Sequence, residues 1–353
     1  MKQGESNFKS FSQIIGQEKA IGILRQVMER DRIPHAYLFV GIPGIGKRTT
    51  AMAFARFVNC KGRVDGDGCG RCVPCRQIMG GNFPDLEQIE PDGQVIKIEQ
   101  IRELNRVFEY KRVSGRYRVC IIQQAEKMTE EAANAFLKTL EEPAPGNIII
   151  LGVTEPLDLL PTIVSRCQQI SFRPLPSDMV ATWLMENKAL DPEKASVLAR
   201  ISEGSLGRAL EMAEDDYFER RQDDIFKINS LQNQSPVKAL ETVLEFVQRD
   251  RKGSGGDDST TGVAQVLTTW KTWYRDLLLL KVEGPEDLLF NVDFSQRLKN
   301  TARNLSIESL IKSILLLDQA QRDILRARNR ELVMENAVLT IKEEGHGQGN
   351  TNQ

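Results

Sequence analysis

Long apolar runs are missing from this chain of 353 residues. No stretch approaches the ~20 consecutive apolar residues that a membrane-spanning helix requires. The N-terminal sequence MKQGESNFKS also lacks the apolar centre of a secretory signal peptide. These absences argue against a membrane or secreted protein, and we expect the chain in the cytoplasm.

An excess of charge of one sign is missing as well. The 47 Lys and Arg residues nearly balance the 49 Asp and Glu residues, which leaves a formal net charge of -2. A chain without a strong overall field does not attract nucleic acid or anionic membranes as a whole. Any contact with DNA is therefore expected to be local or made through partner proteins.

Cysteine is scarce outside one short segment. Of the six cysteines, four lie in CKGRVDGDGCGRCVPC, which we call the cysteine loop (residues 60–75). Cys60, Cys69, Cys72 and Cys75 supply four soft ligands, which suit a closed tetrahedral Zn²⁺ site. A redox dithiol would need only two cysteines, and a catalytic zinc would need a free coordination position. We therefore predict structural zinc in this loop.

The segment AYLFVGIPGIGKRTT (residues 36–50) organises the N-terminal part of the chain. A short buried strand is followed by Gly41, Gly44, Gly46 and Lys47, which complete the phosphate-loop pattern G-x-x-x-x-G-K. Glycine is required because the backbone N–H groups must approach a phosphate chain closely. The pattern predicts a nucleotide-binding loop in which Lys47 lies on the outer phosphates.

The hydroxyl residue that ligates Mg²⁺ is missing from its usual place. In this motif a Ser or Thr follows the lysine. Here Arg48 follows it, and Thr49 comes one position late. The site is recognisable but altered, and the missing ligand argues against bound Mg²⁺.

The acidic residues of an ATP-hydrolysing site are missing too. A second buried strand, in RVCIIQQAE (118–126), ends in Gln123 and Gln124. An Asp that holds Mg²⁺ and a Glu that polarises the attacking water would stand there in a hydrolysing enzyme. Since an amide does neither, the sequence predicts that ATP is not hydrolysed efficiently. If the strand is aligned differently, Glu126 serves instead.

Periodicity predicts further elements. A helix capped by Thr129 ends before Pro143, and a third buried strand over 147–153 ends at Thr154, the position of a γ-phosphate sensor. Two short strands are expected earlier in the chain, ahead of a helix that begins at Glu99. Their apolar residues are Leu86 and Ile89 for the first, and Val95 and Ile98 for the second.

Residues 11–210 resemble the clamp-loader branch of the AAA+ proteins, whose bacterial members are subunits of the DNA polymerase III holoenzyme. The resemblance depends on ANAFLKTLEEP (133–143), on the triplet Ser165-Arg166-Cys167 and on the inserted cysteine loop, all in one chain. It implies an α/β AAA+ P-loop domain, with a parallel sheet and helices on both faces, followed by a helical lid and an all-α collar.

The resemblance also implies partners and site residues. The partners are gamma/tau and delta subunits in a hetero-oligomeric ring, with the sliding clamp and primed DNA reached through the complex, and no membrane. Arg166 would reach a neighbour's ATP as an arginine finger, and a local salt bridge is the alternative. Arg208 would touch phosphates from the lid, unless it is an ordinary solvated helix residue. Whether ATP or ADP binds beside Lys47 stays open.

Composition and resemblance together divide the chain. We predict an AAA+ nucleotide-binding-like domain over 1–174, a helical lid over 175–222, a helical oligomerisation collar over 223–343 and a disordered tail over 344–353. A flexible loop, RKGSGGDDSTT (251–261), interrupts the collar. A helical stripe in the collar is expected to pack in its core. It consists of Trp270, Trp273, Leu277 and Leu280.

The departures at Arg48, Gln123 and Gln124 favour a subunit that supports clamp loading without hydrolysing ATP, within an assembly that has DNA-directed DNA polymerase activity. Two alternatives stand beside this prediction. One is an active gamma/tau-like ATPase motor, against which the glutamines argue. The other is a zinc-dependent nucleic-acid-binding module. Against it stand the balanced charge and the few basic residues around the cysteine loop. These are Lys61, Arg63, Arg71 and Arg76.

Overall fold

A computed structural model describes residues 10–30, 32–213, 216–231, 234–253, 261–325 and 328–346. These residues form two compact units. The first contains the described residues up to Pro176 together with Glu203–Arg208, and the second contains Ser177–Ser202 and the described residues from Ala209 onward. The border between lid and collar at residue 222 remains a prediction.

The first unit is built on a five-stranded sheet in which every pair of neighbouring strands is parallel. The strand order is β2-β3-β4-β1-β5. The strands are β1 Ala36–Val40, β2 Leu86–Ile89, β3 Arg118–Ile122, β4 Asn147–Val153 and β5 Gln168–Ser171. The central strands read as continuous apolar runs because helices cover both of their faces.

Helices cover the two faces of the sheet in separate groups. They are α1 Glu18–Glu29, α2 Lys47–Asn59, α3 Val73–Met79, α4 Ile98–Glu109, α5 Glu130–Glu141 and α6 Pro161–Val164. Alternate strand residues point to opposite faces, so Phe39 packs with α1 and α2, whereas Leu38 packs with α4, α5 and α6. This confirms the predicted α/β fold, and Thr129 caps α5 by accepting a hydrogen bond from the Ala132 N–H at 3.2 Å.

One of the two short strands expected ahead of α4 does not form. Leu86 and Ile89 lie in β2, but Val95 makes only an isolated bridge with Asp92, and α4 already begins at Ile98. The helix starts early because the Gln100 side chain accepts a hydrogen bond from the Lys97 N–H at 3.0 Å, which caps the first turn. The prediction of a second strand over 95–98 is therefore wrong.

The parallel sheet separates the connecting loops into two sets. Loops that follow strands lie at the carboxyl edge of the sheet, and loops that precede strands lie at the amino edge. Strands of four or five residues at about 3.3 Å per residue place these edges about 15 Å apart. Lys47 and Thr154 belong to the carboxyl edge, whereas Arg166, two residues before β5, belongs to the amino edge.

The second unit is helical and contains no strand in its described residues. Its helices are α7 Ser177–Lys188, α8 Pro192–Ile201, the last part of α9 Leu206–Met212, α10 Tyr217–Ser230, α11 Pro236–Gly253, α12 Thr261–Lys281, α13 Ser295–Arg303, α14 Ile307–Leu325 and α15 Arg330–His346. The predicted stripe on α12 is confirmed as core: Trp270, Trp273 and Leu277 are buried, and Leu280 packs against them. No helix in the described ranges is long and apolar enough to cross a membrane.

The helix ends revise two expectations. Helix α15 continues to His346, so the predicted disordered tail over 344–353 is helical at its start. The rest of that tail lies outside the described residues. Likewise α11 reaches Gly253 and α12 begins at Thr261, so both ends of the predicted flexible loop over 251–261 are helical, and 254–260 lie outside the described residues.

Asp85 fixes a loop at the amino edge of the sheet. Its carboxylate is fully buried and accepts hydrogen bonds from the backbone N–H groups of Val113, Ser114 and Gly115 at 2.7 to 3.1 Å. Burial raises the pKa of this carboxyl, but the three backbone donors and the positive charge of Arg118 lower it more, so its net pKa lies below the usual value. The loop before β3 is therefore held by a charged anchor.

Replacing this anchor should weaken the first unit in a pH-dependent way. We expect Asp85→Asn to lower the free energy of unfolding by about 3 kcal/mol at pH 7, because Arg118 and the loop N–H groups lose their carboxylate. Since the folded pKa is depressed, this stabilisation is present above the unfolded pKa of about 4 and is lost as pH falls through the folded value. Urea unfolding at several pH values measures it. The exposed Asp158→Asn is the control, and an Asp85→Asn deficit equal to its deficit would contradict the expectation.

Candidate nucleotide and metal sites

The phosphate loop closes onto the start of α2. Gly44 and Gly46 have positive φ angles of 73° and 101°, which non-glycine residues rarely adopt. Helix α2 then begins at Lys47, so its free N–H groups face the loop. A helix N-terminus behind a glycine turn is suited to binding phosphate. The predicted loop therefore has the backbone that a nucleotide site requires.

The Lys47 ammonium group is held by its own loop. It donates hydrogen bonds to the carbonyl oxygens of Gly41 and Ile42, the latter at 3.1 Å. Burial lowers the pKa of Lys47, and the negative charge of Glu126 acts in the opposite direction. To bind the ammonium group, a phosphate would have to replace these carbonyl oxygens as its hydrogen-bond acceptor.

The Arg48 side chain reaches the end of β2. Its guanidinium group lies 3.0 Å from Glu90 Oε1 and donates to Gln88 Oε1 at 3.1 Å. The Gln123 amide also donates to Glu90 Oε1, at 2.6 Å. The place of the usual metal ligands is thus taken by a network of Arg48, Glu90 and Gln123. Glu90 could not be predicted from the sequence, because only the strand order brings β2 beside β3.

Glu126, the alternative acid named from the sequence, lies in this site. Gln123 follows β3 directly, and Gln124 is exposed in a left-handed conformation with φ 51°. Glu126 Oε1 accepts a hydrogen bond from Thr154 Oγ1 at 3.2 Å, and its Oε2 is buried without a hydrogen-bond partner among the described residues. The site therefore holds Lys47, Thr154 and Glu126 together, whereas Thr49 lies in the first turn of α2.

The segment 203–208 rests on the phosphate loop. The Ser205 hydroxyl donates to the Pro43 carbonyl oxygen at 2.8 Å, and the Gly207 N–H donates to the Gly44 carbonyl oxygen at 2.8 Å. A Cβ on Gly207 would lie 2.6 Å from Gly44 Cα, so the close approach requires glycine. The Arg208 side chain pairs with Glu203 at 3.3 Å. In this segment the sequence predicted Arg208 as a phosphate contact. It missed Ser205 and Gly207, which make the hydrogen bonds to the phosphate loop.

Arg166 lies at the other edge of the sheet. Its guanidinium group donates to the Thr162 carbonyl oxygen and to Glu141 Oε1, both at 2.8 Å, and 35% of the side chain is exposed. The Glu141 contact is the local salt bridge that was the alternative to an arginine finger. A half-exposed surface pair of this kind contributes little to stability, so the pair by itself assigns no role to Arg166.

The four cysteines of the cysteine loop converge. Their Sγ atoms all lie within 4.8 Å of one another, close to the spacing of about 3.8 Å that a tetrahedral zinc–thiolate site needs. The Cys69 and Cys72 N–H groups donate to the Sγ atoms of Cys60 and Cys69 at 3.2 and 3.4 Å. Donation from the backbone lowers the pKa of Cys69 to about 6, whereas burial raises the pKa of Cys60 and of Cys75. This set of thiols fits a metal ion such as zinc.

Comparisons with known proteins find relatives of this chain. A family model described as "DNA polymerase III, delta subunit" matches residues 16–176. The chain is 30% identical to DNA polymerase III subunit delta' of Bacillus subtilis over 93% of this chain and 96% of the relative. It is 27% identical to subunit tau of the same bacterium over 95% of this chain but 62% of tau. A gamma subunit-related structure from Thermotoga maritima covers 92% of this chain and 99% of that chain at 20% identity, with a TM-score of 0.44.

Proposed function

This chain belongs to the family of DNA polymerase III clamp-loader subunits, and on that premise we propose that it acts as a delta'-type subunit of the complex. In this role it supports the ATP-dependent loading of the sliding clamp onto primed DNA. It presents Arg166 to the nucleotide of a neighbouring subunit and does not itself hydrolyse ATP. Its partners are gamma/tau and delta subunits in a hetero-oligomeric ring, and it meets clamp and DNA through that ring.

The position of Arg166 carries this proposal. Arg166 precedes β5 at the amino edge, and Lys47 follows β1 at the carboxyl edge of the same sheet. These edges are about 15 Å apart, which exceeds the reach of an arginine side chain. Arg166 therefore acts on a nucleotide only if that nucleotide is bound by another chain. An arginine supplied in this way stabilises the charge that develops during phosphoryl transfer.

The carboxyl edge supports the absence of hydrolysis. Gln123 and Gln124 offer no charge for Mg²⁺ and no base for water. Arg48 brings a positive charge to the strand ends where a metal would be held, and Glu90 already neutralises that charge at 3.0 Å. Nucleotide bound through Lys47 would thus lack the groups that make it react. If zinc is bound, the four thiolates of the cysteine loop fill its coordination, which makes its role structural.

A gamma/tau-like ATPase is the second candidate. The hydrogen bond between Thr154 and Glu126 favours it, since Glu126 Oε2 has no hydrogen-bond partner among the described residues and a carboxylate oxygen at this place is available to a water molecule. The missing Mg²⁺ ligands count against it.

Steady-state ATP hydrolysis by the isolated chain separates the two candidates. We expect no turnover above that of Lys47→Ala, with or without primed DNA, because the metal ligands and the base are absent. Turnover that disappears in both Lys47→Ala and Glu126→Gln would instead establish Glu126 as the acid and the chain as a motor. Thr49→Ala is the matched control, and it should leave the background unchanged.

A further inference from the structure

The amino edge of the sheet brings together two basic segments that are far apart in the sequence. The first is the cysteine loop with Arg76, which follows it in α3. The second is the segment YKRVSGRY (110–117), which we call the basic loop. The two segments meet through the residues that flank the cysteines. Asn59, directly before Cys60, accepts a hydrogen bond from the Tyr117 N–H at 2.9 Å.

The packing between the two segments is close on both sides of the cysteine loop. A Cβ on Gly115 would lie 3.0 Å from both Asn59 Oδ1 and Phe83 Cζ, and Phe83 comes shortly after α3. Asp85 then holds the N–H groups at the centre of the basic loop. These contacts hold the two segments side by side at the amino edge, and we call them together the basic edge.

The basic edge carries a local excess of positive charge. Around the cysteine loop, Lys61, Arg63, Arg71 and Arg76 are exposed, as the sequence suggested, and the basic loop adds the exposed Lys111, Arg112 and Arg116. The two segments contain two aspartates. Asp65 is exposed, whereas Asp67 is buried and pairs with the buried Arg56 at 3.3 Å. Four thiolates with one Zn²⁺ contribute a formal charge of -2, and the exposed Glu109 directly precedes Tyr110, so the surface remains positive by about three charges.

Exposed apolar side chains lie among these cations. Tyr110 is 72% exposed and Val113 is 73% exposed, on either side of Lys111 and Arg112, and Val73 beside the cysteines is 52% exposed. Aromatic rings between cations are what a sequence-tolerant single-strand binding surface uses, because bases stack on the ring while the cations follow the phosphates. An acidic peptide would use the cations but would gain little from an exposed tyrosine.

We propose that the basic edge is a binding site for single-stranded nucleic acid, with Tyr110 as a stacking platform and the exposed cations of both segments on the phosphates. The site gives the cysteine loop a role beyond stability, because zinc would fix its basic residues beside the basic loop. It lies on a different edge from the nucleotide site. It would bind single strands directly, in addition to the contact with primed DNA that the proposed function makes through the ring.

Fluorescence anisotropy of the zinc-loaded full chain with a labelled oligothymidylate of about 20 nucleotides tests the proposal. The triple variant Lys61→Glu, Arg76→Glu, Lys111→Glu should weaken binding by at least about tenfold and reduce the salt slope of log K by about two. A matched triple reversal of exposed lysines elsewhere, at Lys19, Lys188 and Lys238, should change the affinity by less than about threefold. Zinc content and circular dichroism verify that each variant folds.

The tyrosine gives a second, independent readout. Tyr110→Leu should weaken binding by about fivefold, whereas Tyr110→Phe, which keeps the ring, should bind as the unmodified chain does. Equal binding by the basic-edge triple, the control triple and the unmodified chain overturns the proposal. The proposal is also overturned if the chain does not bind the oligonucleotide but does bind a labelled poly-glutamate peptide, and the basic-edge triple abolishes that binding. This result would assign the surface to an acidic protein.

Discussion

Arg166→Ala should lower ATP turnover at the neighbouring motor site by about 10³-fold in a reconstituted clamp loader, while leaving this chain folded and assembled. The reason is that the guanidinium group stabilises charge only in the transition state of the partner's nucleotide, so its loss affects the rate far more than the binding of ATP. The measurement is pre-steady-state phosphate release by the complex of this chain with its cognate tau-type and delta subunits. Arg166→Lys should recover little of the rate, because a single ammonium group does not reproduce the guanidinium fork.

The contact between Arg166 and Glu141 supplies the matched control. If Arg166 serves only its own chain, Glu141→Ala and Arg166→Ala remove the same 2.8 Å pair and should have the same effect. If Arg166 serves a neighbour, Glu141→Ala frees the guanidinium group and should leave phosphate release unchanged or faster. Equal losses in the two variants would reduce Arg166 to a local contact and remove the main support for the proposed function.

Removal of zinc should disorder the cysteine loop. Four thiolate ligands contribute on the order of 10 kcal/mol to local order in structural zinc sites, so chelation or Cys69→Ser should expose Lys61, Arg63 and Arg71 to trypsin. We expect the cleavage rate in this loop to rise by at least about 100-fold, which corresponds to about 2.7 kcal/mol of lost protection. Mass spectrometry of the first fragments, with zinc content measured in parallel, checks both expectations.

A thiol outside the cluster is the control for this prediction. Cys167 is only partly buried and lies apart from the four converging cysteines. Cys167→Ser should therefore retain about one zinc per chain and the protected loop. An intact loop in the Cys69→Ser variant, or a chain that holds no zinc as purified and yet resists trypsin, would show that packing alone orders the cysteine loop.

The sequence predicted those features that local chemistry determines. The phosphate loop, the buried strands around it, the Thr129 cap and the convergence of Cys60 with the three later cysteines each depend on residues near one another in the chain or on a strict spacing. The absence of acidic residues at the two positions directly after β3, Gln123 and Gln124, was also predictable, because it depends only on where a buried strand ends.

The remaining site features depend on which strands and loops become neighbours. Glu90 reaches Arg48 and Gln123 because β2 lies beside β3 in the sheet, and Ser205 reaches the phosphate loop across many residues of chain. The basic loop joins the cysteine loop for the same reason, through Asn59. The positive charge of this surface was therefore underestimated from the sequence, because the two basic segments lie far apart along the chain.

The most direct measurement compares Lys47→Ala and Arg166→Ala of this chain in the same reconstituted clamp loader, with DNA-stimulated ATP turnover and clamp loading as readouts. The proposed function predicts that Lys47→Ala retains both activities, because the nucleotide site of this chain does not drive the reaction. It predicts that Arg166→Ala loses both, because the neighbouring site is left incomplete. The reverse pattern, with loss in Lys47→Ala and full activity in Arg166→Ala, would contradict it and identify this chain as a motor.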